Sequence, residues 1–227
     1  MFSKTFSIPK VGRLEHLKNN WKYGNYCQKY DMCGEIKIGT GVVKAHDIFE
    51  SLPQFMKNAD VVFSDPPCSR GNLTSFYTKA EKKNTHDYTE FYERFFEVLQ
   101  EINPKLVFIE VFKSNFDIFS RRLENLYQNV STFESMYYNQ PKNKCWILVA
   151  SDEEVPDYPF NGIDEQKVIE LICKNVDFNC IADPCMGKGL VGFYANRYGK
   201  KFVGTELNPK RLAVLLERIN TGKLIMR

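Results

Sequence analysis

The chain has 227 residues, 43% hydrophobic and 14% aromatic; this excludes a disordered polymer and allows one sizeable α/β domain with a real core. Its 31 Lys and Arg against 28 acids give a net charge of +3, which neither demands nor opposes a nucleic-acid partner. No apolar stretch approaches a membrane span and no signal-peptide core is present, and the seven scattered cysteines show neither Cys-x-x-Cys nor a zinc-finger spacing, so the expectation is a cytoplasmic protein with free thiols, no metal and no membrane.

Residues 1–33 read as a basic, aromatic extension, with Lys4, Lys10, Arg13 and Lys22 among Trp21, Tyr23, Tyr26 and Tyr30. Such a segment suits a solvated surface with docked rings, or a grip on a nucleic-acid backbone. Residues 34–227 read as a single domain. Glu35 to Val43 suits a β-hairpin or strand, which the chain leaves near His46 and Asp47. Ile48 to Phe55 suits a short helix. Val61 to Ser64 is an apolar run with the character of a buried strand, and it delivers Asp65-Pro66-Pro67-Cys68. Proline fixes φ and carries no N–H, so Pro66-Pro67 holds one stiff backbone shape beside an acid. A plain strand-ending turn has the same composition.

Ser69 to His86 is polar and long for a structureless connection, which predicts a functional loop or lid. Phe91, Phe95, Val98, Leu99 and Ile102 share one face of a helix over Tyr88 to Ile102. Leu106 to Ile109 predicts a strand ending in Glu110, and Phe116 to Tyr127 a helix. Phe133 to Tyr138 and Cys145 to Ala150 predict an antiparallel pair that closes a sheet. After a linker with Pro156 and Pro159, Asp164 to Val176 predicts a helix and Cys180 to Ala182 a strand. Asp183-Pro184-Cys185-Met186-Gly187-Lys188-Gly189 follows. Leu190 to Tyr198 predicts a helix, Lys201 to Gly204 a strand ending at Glu206, and Pro209 to Ile219 the last helix, with Pro209 in its first turn.

Strand, glycine loop, helix, strand and acid compose a nucleoside-binding βαβ unit. Glycines let the backbone approach a ligand, and the acid at the next strand tip can accept bonds from ribose hydroxyls. Gly187, Gly189 and Gly192 also satisfy the dinucleotide pattern G-x-G-x-x-G, so a nicotinamide dehydrogenase is an alternative. Asp183-Pro184 lies outside that fingerprint, and no strands follow to complete a dinucleotide site. A P-loop fits worse, because Gly187-Lys188 is followed by Gly rather than Ser or Thr. A purely structural turn is the remaining alternative.

The stretch Asp183 to Asn208 resembles the cofactor motif of S-adenosylmethionine-dependent amino-methyltransferases, and Asp65-Pro66-Pro67-Cys68 resembles their catalytic motif, Asp-Pro-Pro followed by an aromatic. The catalytic motif comes first, which is the permuted order of the β-type DNA methyltransferases. The resemblance spans residues 42–219. It implies a Rossmann-like α/β fold with a mostly parallel seven-stranded sheet and an antiparallel closing strand. A catalytic half would occupy residues 34–151 and a cofactor half residues 160–227. It implies S-adenosylmethionine as cofactor, held by Asp183, Pro184, Cys185, Met186, Gly187, Gly189, Glu206 and Asn208. Asp47, with His46, would lie near the adenine. The helix start at Asp164 would close over the methionine tail, although Gln166-Lys167-Val168 replaces the frequent Lys-Pro. Asp65 and the Pro66 carbonyl would accept hydrogen bonds from the target amino group.

Cys68 departs from that pattern, because the family's aromatic stacks on a flipped base. Phe76 and Tyr77 are candidate substitutes, and Arg70, Asn72 and Glu110 further candidate substrate contacts. Pro-Pro-Cys with Glu110 also echoes cytosine-C5 methyltransferases, which would make Cys68 a nucleophile. A non-catalytic, nucleic-acid-binding relative is the third alternative. The reading that results is methylation of an exocyclic amino group in DNA, adenine N6 ahead of cytosine N4, with RNA left open. No segment is large enough for a recognition domain, so a short target, a homodimer or a recognition partner is expected.

Overall fold

The structure, a computed structural model, describes residues 23–224. The basic residues and rings of 1–22 singled out above lie outside the described residues. The described part of the extension docks on the last helix: Lys29 and Tyr30 meet the two carboxylate oxygens of Glu217 at 2.9 and 2.8 Å.

One eight-stranded sheet runs β1-β2-β8-β7-β3-β4-β6-β5. Its strands are β1 (Glu35–Ile38), β2 (Gly41–Ala45), β3 (Val61–Ser64), β4 (Leu106–Val111), β5 (Asn129–Met136), β6 (Lys144–Ser151), β7 (Cys180–Asp183) and β8 (Lys201–Glu206). β2, β8, β7, β3 and β4 are mutually parallel. β6 lies antiparallel against β4, and β5 against β6. The strand count exceeds the expected seven by one. Glu35 to Val43 takes the hairpin form: it turns at Gly39, whose φ is +54°, and yields the antiparallel strands β1 and β2. The central strands β3 and β7 are buried along their whole length, as strands covered on both faces must be.

Helices cover both faces. α1 (Arg70–Lys79), α2 (Tyr88–Ile102) and α3 (Phe116–Leu126) pack on one side; α4 (Glu165–Asn175), α5 (Leu190–Arg197) and α6 (Pro209–Thr221) pack on the other. Successive strand residues feed opposite cores: Val61 and Phe63 meet the α4–α6 layer, and Val62 the α1–α3 layer. Local chemistry sets the helix starts. Asp87 and Glu90 form a reciprocal capping box on α2. Asp164 caps α4. Asn208 caps α6 ahead of Pro209.

Two expected elements differ. Ile48 to Phe55 is not a helix; a 3-10 turn forms over Gln54–Asn58 instead. Pro53 accounts for the shift, since the residue before a proline is steered away from the helical region. Ser69 to His86 is not a loop throughout, because α1 fills its first half. α1 buries only Leu73 and Tyr77, so an apolar stripe is nearly absent from its sequence. Its start is signalled by Ser69, whose hydroxyl accepts the Asn72 N–H at 3.3 Å. No helix among the described residues is long and apolar enough to cross a membrane.

Candidate active site

The parallel strands bring five acids to one edge of the sheet. In sheet order they are Asp47 just past β2, Glu206 ending β8, Asp183 ending β7, Asp65 following β3, and Glu110 near the end of β4. The carboxyl ends of parallel strands are where open α/β sheets bind ligands, at the point where the connections diverge to opposite sides. All five acids line a single cavity of about 820 Å³. Among the described residues no cluster of His, Cys, Asp and Glu is arranged to hold a metal ion.

At the β7–β8 end the glycine loop is folded onto Glu206. Met186 donates its N–H to the Thr205 carbonyl at 3.0 Å, and the Thr205 hydroxyl donates to the Pro184 carbonyl at 2.9 Å. Gly187, with φ +58°, donates its N–H to Glu206 Oε2 at 2.7 Å. Asn208 donates its N–H to Glu206 Oε1 at 2.9 Å. Burial pushes the Glu206 carboxyl up, and the nearby Arg211 guanidinium opposes that push most strongly. Asp183 is 4% exposed. Burial drives its carboxyl well above the usual aspartate range, although the Cys185 N–H donates to it at 3.0 Å. Such carboxylates gain from further donors.

At the β3–β4 end Pro66 and Pro67 are buried, while Asp65 and Cys68 are half-buried. The loop is pinned beyond them. Cys68 donates its N–H to Asn72 Oδ1 at 3.4 Å, and the Ser114 hydroxyl donates to the Cys68 carbonyl at 3.2 Å. Burial, followed by the Asp65 charge, pushes the Cys68 thiol up, so the thiolate needed for nucleophilic attack is disfavoured. Phe112 and Tyr137 face this end as an edge-to-face pair, 5.5 Å apart. Tyr138 lies at the rim, 50% exposed, on a backbone with φ +59°.

Most of the expected site residues come together. His46, Asp47, Asp65, Pro66, Pro67, Cys68, Asn72, Phe76, Tyr77, Glu110, Asp183, Pro184, Cys185, Met186, Gly187 and Glu206 all line the cavity. Three expected residues do not. Arg70 is exposed on α1, away from the lining. Gly189 is outside the lining, and a Cβ there would come within 2.6 Å of Leu215, so its bareness lets the loop pack on α6. The Asn208 side chain is consumed structurally. Its Oδ1 accepts the Lys210 N–H at 2.9 Å and its Nδ2 donates to the Lys79 carbonyl at 3.0 Å.

Two substrate candidates sit nearer the glycine loop than expected. The Tyr77 hydroxyl donates to Asp47 Oδ1 at 2.7 Å. The Phe76 ring lies 4.9 Å from the Arg211 guanidinium carbon and 5.5 Å from Lys79 Nζ. His46 lines the same end, and burial lowers its pKa.

Sequence reasoning missed Arg211, Glu165, Tyr137 and Tyr138, all of which line the cavity. Arg211 sits in the first turn of α6, shortly after Glu206, and that proximity was the available signal. Tyr137-Tyr138-Asn139 occupies the β5–β6 turn, where Tyr138 and Asn139 both adopt positive φ. Adjacent rings in a tight turn are readable as a sequence feature, but their aim is not.

No protein-family model matches the chain, and no curated protein matches it. Solved structures do. The M1.HpyAVI–SAM complex shares 14% identity over 78% of this chain and 98% of its own, with a TM-score of 0.52. TTHA0409 of Thermus thermophilus, complexed with S-adenosyl-L-methionine, shares 15% over 75% of this chain and 88% of its own, with a TM-score of 0.53. The PvuII DNA methyltransferase, cytosine-N4-specific, shares 12% over 85% of this chain and 98% of its own, with a TM-score of 0.53. The chain therefore has the Rossmann-like α/β fold of these methyltransferases.

Proposed function

We propose that this chain transfers a methyl group from S-adenosylmethionine to the exocyclic amino group of a base in DNA, with adenine N6 as the first atom to test and cytosine N4 as the second. The observation that carries the reading is the single cavity that joins Gly187 and Glu206 to Asp65 and Pro66. These groups are distant in the chain, and the pairing of β3 with β7 brings them side by side. Ligand cavities span roughly 300–1,000 Å³, so about 820 Å³ suits a nucleoside cofactor together with a base.

The wall fits such a cofactor. Glu206 is buried there and offers lone pairs to ribose hydroxyls. Gly187 holds φ +58°, and a Cβ there would come within 2.8 Å of the Arg211 guanidinium, so the loop keeps bare backbone at the cavity wall. Asp183 and the amides beside it would hold the methionine portion. When bound, S-adenosylmethionine would supply an electrophilic methyl group. The Asp65 carboxylate and the Pro66 carbonyl accept the two N–H bonds of the target amine and turn its lone pair towards that methyl. The stiffness of Pro66-Pro67 keeps this aim, and positioning is the main lever in a displacement of this kind. The N–C bond would form as the methyl–sulfonium bond breaks, with the thioether as leaving group, and the Asp65 carboxylate that holds the amine N–H would take its proton and pass it to solvent.

A base within a duplex must leave the stack to reach the cavity, at a cost of a few kcal/mol. With Cys68 in the aromatic position, Tyr138 is the ring we assign to stacking. It stands half-exposed at the rim beside Tyr137, at the Asp65 end, whereas Tyr77 and Phe76 are turned towards Asp47 and Arg211. DNA as substrate is supported by the named activity of the PvuII enzyme; RNA is the second arm of the test. Cytosine-C5 chemistry is disfavoured by the raised Cys68 thiol. Incubation with methyl-labelled cofactor and mixed DNA and RNA, followed by nucleoside mass spectrometry, reads substrate and atom together. Label on N6-methyladenine or N4-methylcytosine supports the proposal, and label confined to 5-methylcytosine opposes it.

A further inference from the structure

α1 is fastened at its two ends to opposite ends of the cavity. At its N-terminus Asn72 holds the Cys68 N–H and is itself bonded to the capping Ser69. At its C-terminus Tyr77 donates to Asp47 at 2.7 Å, Asn208 donates to the Lys79 carbonyl at 3.0 Å, and Phe76 packs under Arg211. Lys210 pairs with Glu81 just beyond the helix. Asp47, Asn208 and Arg211 flank β2 and α6, the elements at the Glu206 end. Cys68 belongs to the transfer end. One helix therefore spans both.

The seat of α1 depends on these polar ties. Leu73 and Tyr77 are its only buried residues, so little apolar area holds it down. Phe76 and Tyr77 both line the cavity, so a ligand at the Glu206 end touches α1 when the helix is seated and not when it is lifted. Such a difference in contact is what lets a ligand shift a conformational equilibrium. Burial and the Asp47 charge both hold the Tyr77 phenol in its protonated, donating form.

We propose that Tyr77 is a positioning residue: its bond to Asp47 seats α1 when the nucleoside end is filled, and α1 then sets the Asp65–Cys68 loop through Asn72. This inference rests on the proposed function for the identity of the nucleoside. It requires cofactor binding to precede productive binding of the base.

The test is hydrogen exchange of the full chain with and without S-adenosylmethionine, with binding followed by calorimetry. In the wild type, bound ligand should slow the amides of 68–77. Tyr77→Phe keeps the ring and the packing. It should lose about tenfold of that protection and, by linkage, up to about tenfold in ligand affinity, with kcat at saturating ligand falling in parallel, as expected for one hydrogen bond to a charged acceptor. Asn72→Ala should keep ligand-induced protection at 76–79 and still lose kcat, a split that a merely structural role would not produce. Unchanged protection and kcat in Tyr77→Phe would overturn the inference, as would wild-type amides that ignore a ligand calorimetry shows to be bound. A wild type that binds no S-adenosylmethionine would overturn the functional proposal and this inference with it.

Discussion

Gly187 donates its backbone N–H to Glu206 Oε2 at 2.7 Å, which ties the glycine loop to the acid at the tip of the neighbouring strand. The bond requires Gly187 to hold φ +58°, a conformation that costs residues with a Cβ about 1–2 kcal/mol. A Cβ would also crowd Arg211 Nη2 at 2.8 Å, although that side-chain end can move. Gly187→Ala is therefore expected to lose about 1–2 kcal/mol in urea unfolding. It should weaken S-adenosylmethionine binding in calorimetry by more than it weakens the fold.

Asp183 predicts a conflict between stability and binding. Burial raises its carboxyl pKa above the unfolded value, so the folded chain holds a proton that the unfolded chain releases. Stability is then highest at low pH and falls as pH rises from the ordinary aspartate range, about 4, towards the raised value. Asp183→Asn removes that titration and keeps an oxygen for the Cys185 N–H. Thermal melts should show a higher Tm at neutral pH and a flatter pH profile for this component, while cofactor binding falls. A variant less stable than wild type at pH 7 would contradict the account.

The proposed function gives base stacking to Tyr138 and leaves Cys68 no nucleophilic part. Cys68→Ser should leave most methyl transfer intact, because the thiol is held protonated. Tyr138→Ala should raise KM for DNA by about tenfold or more, given roughly 1–3 kcal/mol per stacked base, with little change in cofactor affinity. Restoring a ring by Cys68→Tyr in the Tyr138→Ala background should recover part of the loss. Steady-state kinetics on one duplex measures all three.

Much of this architecture was legible because local and global signals agree. The apolar run Val61 to Ser64, the capping pattern at Asp87 and Glu90, and the glycine loop between β7 and α5 each mark their element without tertiary help. Where tertiary contacts decide, the sequence was mute. α1 carries almost no apolar stripe and depends on Asn208, Asp47 and Arg211, which are remote in the chain. Gly189 and Asn208 match a binding motif and also serve the packing against Leu215 and the cap of α6, which the motif letters do not announce. Glu35 to Val43 was readable as a hairpin or as one strand, and only its pairing decides between them.

The pairing of Asp65 with the glycine-loop cavity is the centre of the account, and nucleoside mass spectrometry of DNA methylated by the wild type and by Asp65→Ala tests it most directly. The wild type should place label on an exocyclic amino nitrogen. Asp65→Ala should lose about 100-fold or more in rate, the scale of removing one group that orients a reacting centre, while still binding S-adenosylmethionine. Undiminished transfer by Asp65→Ala, or label found only at cytosine C5, would contradict it.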